Sequence, residues 1–485
     1  MTSRALHLLA AAAALALLSA CATGAAPAAD APPPPLPAAW QAPLPTPGSS
    51  ASADLLQGSA WWASFQAPEL PGLIDAAQAA SPTLAAARAR IERARATRTA
   101  AAAALLPQVD AVAGAQSGRS VPRQPAAGSA SLGLQAAWEI DIFGGASAGR
   151  EAAQARLEAA QVGWHDARAA VAAEVASSYI AYRGCTAQAA QAGLDAASRE
   201  ETARLTGLSA QAGFAAPADA ALARAGAAQA RSTLVARRAQ CETLLKSLVE
   251  LTGLAELELR QRLTAPAAAG HASVPQPAAW AVSALPAELL RRRPDLAEAE
   301  RTVLAAAGDR RSAEASERPQ LRLSGNLAAA SFRSAGVSSN GSTWSLGPLQ
   351  LSLPVFDGGS RAANSAAARA EYEAAVAAYQ GQVRRAVREV EAALVALDAS
   401  ASRQRDAEAA ARDFQAALQA TQARQRSGLA SLFDLEDARR LALQAQSALV
   451  ELQTDRASAW ITLYRALGGG FVPDPQPPAA PAPAR

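Results

Sequence analysis

The chain is written twice, and that duplication limits what it can fold into more than any other feature. Pro82 and Pro107 bound one Ala-rich segment, Pro294 and Pro319 bound a second of equal length, and both pairs are offset by 212 residues. Each segment opens on a proline, tolerated in the first turn of a helix, and closes on one that stops the helix and starts an extended run. Gly144-Gly145 and Gly358-Gly359 continue the correspondence at an offset of 214; Gly213 with Gly428, Asp219 with Asp434 and Gly253 with Gly468 continue it at 215. Such small drift over so long a repeat makes the whole unit, not a short motif, the element of architecture. The two copies are expected at 61–254 and 286–470.

The first twenty residues read as an export signal: Arg4, then an apolar run from Ala5 to Leu18 broken by His7, then Leu18-Ser19-Ala20-Cys21. The cleavage site resembles a bacterial lipobox, which makes Cys21 the lipidated first residue of the mature chain, and Ala22 in place of an acid points to the outer membrane. Several acyl chains on one cysteine supply what stable anchoring needs. Residues 21–60, rich in Ala and Pro, read as a tether from that anchor. Beyond the signal no apolar run approaches the ~18 residues of a transmembrane helix, so further membrane contact has to come from β-strands. The net charge of +3 suggests no polyanionic partner and leaves nucleic-acid binding unsupported. Half the residues are apolar but only 4% are aromatic, which suits long, closely packed Ala-rich helices.

After each proline-bounded helix (81–105 in the first copy) the hydrophobic period changes to two. Val109, Ala111, Ala113 and Ala115 alternate; Leu132, Leu134, Ala136, Trp138, Ile140 and Ile142 then share one face against Ser131, Gly133, Gln135, Glu139 and Asp141. The second copy sets Leu321, Leu323 and Leu327 against Arg322, Ser324 and Asn326, and continues with Trp344, Leu346, Leu349, Leu351, Leu353 and Val355, whose phase slips at Gly347-Pro348 as at a bulge. Each copy thus carries a β-hairpin (107–143 and 319–356) with strands of about 9–11 residues, the membrane-spanning length. A half-buried hairpin of a soluble domain has the same pattern. Four strands do not close a barrel, because transmembrane barrels begin at about eight; strands in lipid would require several chains to share one wall.

Long helical hairpins follow, 146–252 and 360–467, turning near Gly213 and Gly428. Leu435, Ala438, Ala442, Ala445, Leu449, Leu452, Ala459 and Leu463 hold a three-four spacing interrupted at Arg456, a heptad seam with small residues. Residues 255–285 read as a linker and 471–485 as a low-complexity tail. Cys185 and Cys241 lie equally far from Gly213, so an antiparallel hairpin places them at one height; in an oxidising compartment this favours a disulfide over two buried thiols. Arg291-Arg292-Arg293 before Pro-Asp is read as structural rather than as a phosphate site. Gly145-Ala-Ser147-Ala-Gly149 has the form of a hydrolase nucleophile elbow. Its counterpart Gly359-Ser-Arg-Ala-Ala363 does not, and His165 stands about 27 Å up the same helix. The string is set aside, and no cofactor, metal spacing or enzymatic activity is expected.

Trp61-Trp62 with Phe65, Leu285-Pro-Ala-Glu-Leu-Leu-Arg-Arg-Arg-Pro-Asp-Leu296, Val355-Phe-Asp-Gly-Gly359 and Gly428-x-x-Ser431-x-x-Asp434 give the chain its likeness. It resembles the TolC/NodT-type outer-membrane efflux proteins, the outer membrane factors of tripartite pumps. The resemblance implies an α+β membrane protein: long antiparallel coiled-coil helices form a periplasmic tunnel, and each chain gives four strands to a trimeric twelve-stranded barrel in the outer membrane. It implies a homotrimer, in contact with outer-membrane lipid, whose hairpin tips (Gly213, Phe214, Gly428 and Leu429) meet a periplasmic adaptor serving an inner-membrane transporter. It also implies that Asp434 and Asp437 ring a periplasmic gate; the polar bolts some members carry beside them are not evident at Gln425 and Ala430. The function expected is a passive exit duct for small molecules. A duct for peptide or protein secretion is the alternative within export, and a coiled-coil envelope scaffold the alternative outside it; a scaffold needs no lipid-facing hairpins.

Overall fold

A computed structural model of the chain describes residues 37–44, 59–119, 126–264, 274–277 and 291–471; Cys21 and the export signal lie outside them. The elements run α1 (Ser59–Ala63), α2 (Glu69–Ala80), α3 (Pro82–Ala103), β1 (Gln108–Gly118), β2 (Ala127–Ile140), α4 (Gly145–Gln211), α5 (Pro217–Thr252), α6 (Glu256–Thr264), α7 (Pro294–Ala315), β3 (Gln320–Ser334), β4 (Val337–Ser352), α8 (Ser360–Arg426) and α9 (Leu432–Ala466). The order α3-β1-β2-α4-α5 recurs as α7-β3-β4-α8-α9, as the duplication predicts. The chain divides into two compact units: one comprises Pro107–Ala152 with Val303–Val376, the other Pro34–Leu106, Ala153–Thr302 and Ala377–Arg485.

The first unit is built on an antiparallel sheet in the order β1-β2-β3-β4. Its register puts the two copies on a common face: Leu134 pairs with Ala111 and Leu327, Leu327 with Trp344, and Trp138 with Leu323. At the seam between the copies, β2 and β3 approach so closely at Gly133 that a Cβ would stand 2.5 Å from the Leu327 carbonyl oxygen. The expected phase slip is present: Leu323 pairs with Leu349 and Gly325 with Leu346, leaving Ser324 opposite the cis Gly347-Pro348 peptide. Each hairpin hands the chain to a long helix through an aspartate. Asp141 accepts the Ala146 and Ser147 backbone N–H groups at 3.2 and 2.7 Å, and Asp357 those of Gly359 and Arg361 at 2.9 and 3.1 Å. Carboxylates at these positions satisfy donors that have no partner inside the helix and oppose the positive end of its dipole. Ser147 is thus a first-turn residue of α4 whose backbone N–H is held by a capping acid.

The second unit holds the main core. Trp61 stacks on Tyr464 with centroids 4.1 Å apart, Trp62 and Phe65 close around them, and Leu73, Tyr179, Leu245, Leu248, Leu394 and Leu463 are fully buried in the same cluster. Tyr179 donates to Glu69 at 2.5 Å; burial and that carboxylate push its phenol well above the ordinary range. Leu418, Leu435 and Ala442 form a smaller cluster on α8 and α9, so the heptad seam of α9 is buried as expected. Arg456 is half-buried in that seam, where it hydrogen-bonds Gln404 of α8.

Three local features add to the outline read from the sequence. The stretch beginning at Trp61 forms two short helices before Ser81, whose hydroxyl accepts the Leu84 N–H and caps α3. The linker 255–285 opens with α6, whose Leu259 and Leu263 are buried against the core; its charge, Glu256 to Arg262, hides the apolar stripe. The tether 21–60 is not free throughout, because Gln41 and Ala42 each donate a backbone N–H to Glu391 at 2.8 Å and Ala42 is buried.

Candidate functional site: an amphipathic sheet and two helical tips

Because strand side chains alternate, the register assigns every paired residue to a face. One face carries Val109, Leu132, Leu134, Trp138, Ile140, Leu321, Leu323, Leu327, Trp344, Leu346, Leu349 and Leu351. It is exposed on every strand, at Val109, Leu132, Leu134, Leu327, Leu349 and Leu351 and most of all at Trp344 (79%) and Leu346 (80%), while Trp138, Ile140, Leu321 and Leu323 are half-buried. From Ile140 to Leu132 this band extends roughly 26 Å along the strand. The opposite face carries polar rows, Asp110-Gln135-Asn326-Ser345 and Glu139-Arg322-Gln350, with Ser345 donating to Asn326 at 2.8 Å. β1 and β4 each pair on one side only, so the sheet ends in two rows of unpaired backbone groups.

In the second unit the two hairpin tips share one backbone design. Gly213 (φ +79) donates to Ala210 and Phe214 to Ser209; Gly428 (φ +73) donates to Gln425 and Leu429 to Arg424. These are paired Schellman closures, which need a left-handed residue and so select glycine. The apolar residue after the glycine ordinarily packs back on its helix. Here Phe214 is 87% and Leu429 71% exposed.

Past the second tip, Asp434 closes a capping box. Its backbone N–H donates to Ser431 Oγ at 3.1 Å, while its Oδ2 accepts from Ser431 N at 2.9 Å and from Ser431 Oγ at 2.8 Å. Those bonds, the backbone one foremost, hold its carboxyl below the usual carboxylate range. The Ser431-x-x-Asp434 spacing carries that signal. Asp437, one turn on and 73% exposed, pairs with Arg440 at 3.0 Å. The sequence reading missed the half-buried acid between them: Glu436 accepts from Thr202 at 2.6 Å and from Arg439 at 2.6 Å, and Arg439 also reaches Ser198, fastening α9 to α4. Residues 234 apart leave no local signal of such a contact.

Cys185 and Cys241 are joined as a disulfide, with Cα atoms 5.6 Å apart, between α4 and α5. Arg293 is an internal brace, as its sequence context suggests. It holds Asp295 with two bonds of 2.9 and 2.8 Å, donates to Glu389 at 2.8 Å, and caps the end of α9 through the Ala466 carbonyl at 2.7 Å. Among the described residues no group of His, Cys, Asp and Glu could hold a metal ion, and no helix is long and apolar enough to cross a membrane.

A sheet greasy on one side, wet on the other and open at both edges, joined in sequence to two long helical hairpins, defines the class of subunits that build a membrane duct from strands and extend it with helices. The model of the outer membrane efflux protein family matches residues 73–254 and 285–469, and the chain belongs to that family. It is 30% identical over 453 residues to the pyoverdine export outer membrane protein OpmQ of Pseudomonas putida, covering 90% of this chain and 93% of the relative. It is 32% identical over 335 residues to outer membrane protein OprJ of Pseudomonas aeruginosa, covering 69% and 68%. The solved structure of the outer-membrane channel OprN superposes with a TM-score of 0.79 at 28% identity, covering 93% of this chain and 99% of that one. The chain is an outer-membrane efflux channel subunit; its family is one of channels, not of enzymes.

Proposed function

We propose that three copies of this chain close one barrel, that Cys21 anchors each copy by lipid, and that the assembly is the passive outer-membrane exit of a tripartite pump. The observation carrying the closed barrel is the sheet itself: an apolar face uncovered across all four strands, ending in two unpaired edges. In hydrocarbon each unsatisfied backbone group costs several kcal/mol, so β1 of one copy must meet β4 of another. The exposed Phe214 and Leu429 support a periplasmic adaptor seated on the tips, coupling the duct to an inner-membrane transporter. Small-molecule cargo is supported by the relative named for pyoverdine export. Asp434 and Asp437, exposed on the first turns of α9, supply an acidic gate when repeated around a threefold axis, admitting cations and repelling anions.

The test is native mass spectrometry of the processed protein with planar-bilayer recording. A lipid-modified trimer that conducts, and whose block by added divalent cations weakens in Asp437→Asn, is the expected result. A monomer that leaves bilayers silent overturns the duct; unchanged block overturns the gate alone.

A further inference from the structure

The apolar face of the sheet is free of charge along its whole length except at one end. Among its paired residues the only ionisable side chain is Arg333, in the row Gly128-Arg333-Ser338, about 13 Å along β3 from Ala329, where the apolar band gives out. Arg119, one residue past β1, continues the phase of Val109, Ala111 and Ala113 onto the same face. Both are exposed, and neither has a hydrogen-bond or ion-pair partner among the described residues. The acids of the strands, Asp110 and Glu139, point to the other face, so among the described strand residues no acid on the greasy side neutralises the two arginines. They stand at the hairpin-turn end of the sheet, opposite the end from which α4 and α8 leave. Two strand spacings separate β1 from β3, about 10 Å, and the rows differ by about 7 Å.

We propose that Arg119 and Arg333 form a headgroup site on the lipid-facing wall of the barrel for a membrane lipid carrying two phosphates. Guanidinium groups match phosphate oxygens bidentately and desolvate more readily than ammonium groups. The apolar band beneath them takes the acyl chains while the arginines reach up to the phosphates. A headgroup with two phosphates spans the pair, whereas a zwitterionic headgroup offers each arginine its own compensated charge. The site rests on the duct reading, because only a sheet facing lipid has headgroups at this height.

The experiment uses the full-length trimer in mild detergent, incubated with bisphosphorylated lipid A or with phosphatidylethanolamine, followed by native mass spectrometry. Retention of lipid A at least tenfold above phosphatidylethanolamine is expected, falling to the phosphatidylethanolamine level in the double variant R119Q/R333Q and unchanged in R322Q, which alters the polar face. Equal retention by wild type and R119Q/R333Q, or an equal loss in R322Q, overturns the site. Bilayer conductance of the same samples separates the two readings. Conducting protein with unaltered retention removes only the headgroup site, and silent protein removes the duct with it.

Discussion

Arg293 binds four oxygens from three parts of the chain with a side chain only 6% exposed. Removing the guanidinium leaves Asp295 with only the Gln382 amide and the Leu296 N–H, Glu389 with only the more distant Arg388, and the last carbonyl of α9 without its charged donor; breaking a buried ion pair costs about 3–5 kcal/mol. Arg293→Gln is therefore expected to lower the unfolding temperature of the detergent-solubilised protein clearly, and Arg293→Lys nearly as much, because an ammonium does not reproduce the fork. Burial raises the Asp295 carboxyl, but the Arg293 bonds overcome this and hold it below its ordinary value. A depressed folded pKa contributes stability above the unfolded value near 3.8 that is lost as pH falls through the folded one. Asp166 has the opposite sign: burial first, then the Asp295 carboxylate, push its carboxyl up. Its ionised form destabilises the fold at neutral pH, so Asp166→Asn should raise the unfolding temperature at pH 7. The gain should vanish once pH falls below the unfolded carboxylate range, a pH series of thermal melts being the measurement. That Arg293 braces the fold was legible from its place before Pro-Asp. Its partners were not, because Glu389 and Ala466 lie 96 and 173 residues away.

The same division between local and distant holds for whole elements. Strand faces were readable because alternation states, residue by residue, which side meets apolar surroundings, and the register confirms it from Leu134 through Leu327 to Trp344. The height of Cys185 and Cys241 was readable because a two-fold count about Gly213 is local to one hairpin. The helix α6 and the docking of Gln41 and Ala42 on Glu391 were not, since in both the charge or Pro content of the segment conceals what it packs against. The two helical hairpins differ in one covalent respect: the disulfide, with a sequence separation of 56, joins α4 to α5, and the corresponding residues on α8 and α9 are Ser400 and Arg456. Chain entropy alone gives a loop of that size about 4 kcal/mol of stabilisation. The double variant C185S/C241S should accordingly increase amide exchange and protease cleavage in α4 and α5 around the link while leaving α8 and α9 at their wild-type rates. Equal loosening of both hairpins would show that they unfold as one cooperative body.

For the molecule as a whole, the decisive property is that one residue of shift reverses the sheet's two environments. Leu134 and Gln135 are neighbours in sequence, in the same strand and in adjacent central rows, yet the first lies on the apolar face and the second on the polar one. A charge placed on the lipid face near mid-bilayer costs about 2–4 kcal/mol per copy, and closing a shared wall repeats that cost with every copy that joins. Leu134→Arg is therefore expected to reduce the outer-membrane trimer severely, with material trapped as unassembled periplasmic protein. Gln135→Arg adds the same side chain to the water-filled side and should assemble to near wild-type levels. Its effect belongs to conduction: added positive charge in the lumen shifts selectivity toward anions. Heat-modifiable trimer on gels, scored beside reversal potential in bilayers under a salt gradient, separates the two. The same fate for both variants would mean that the sheet does not divide lipid from water, whereas assembly lost in one and selectivity shifted in the other is the behaviour of a wall between them.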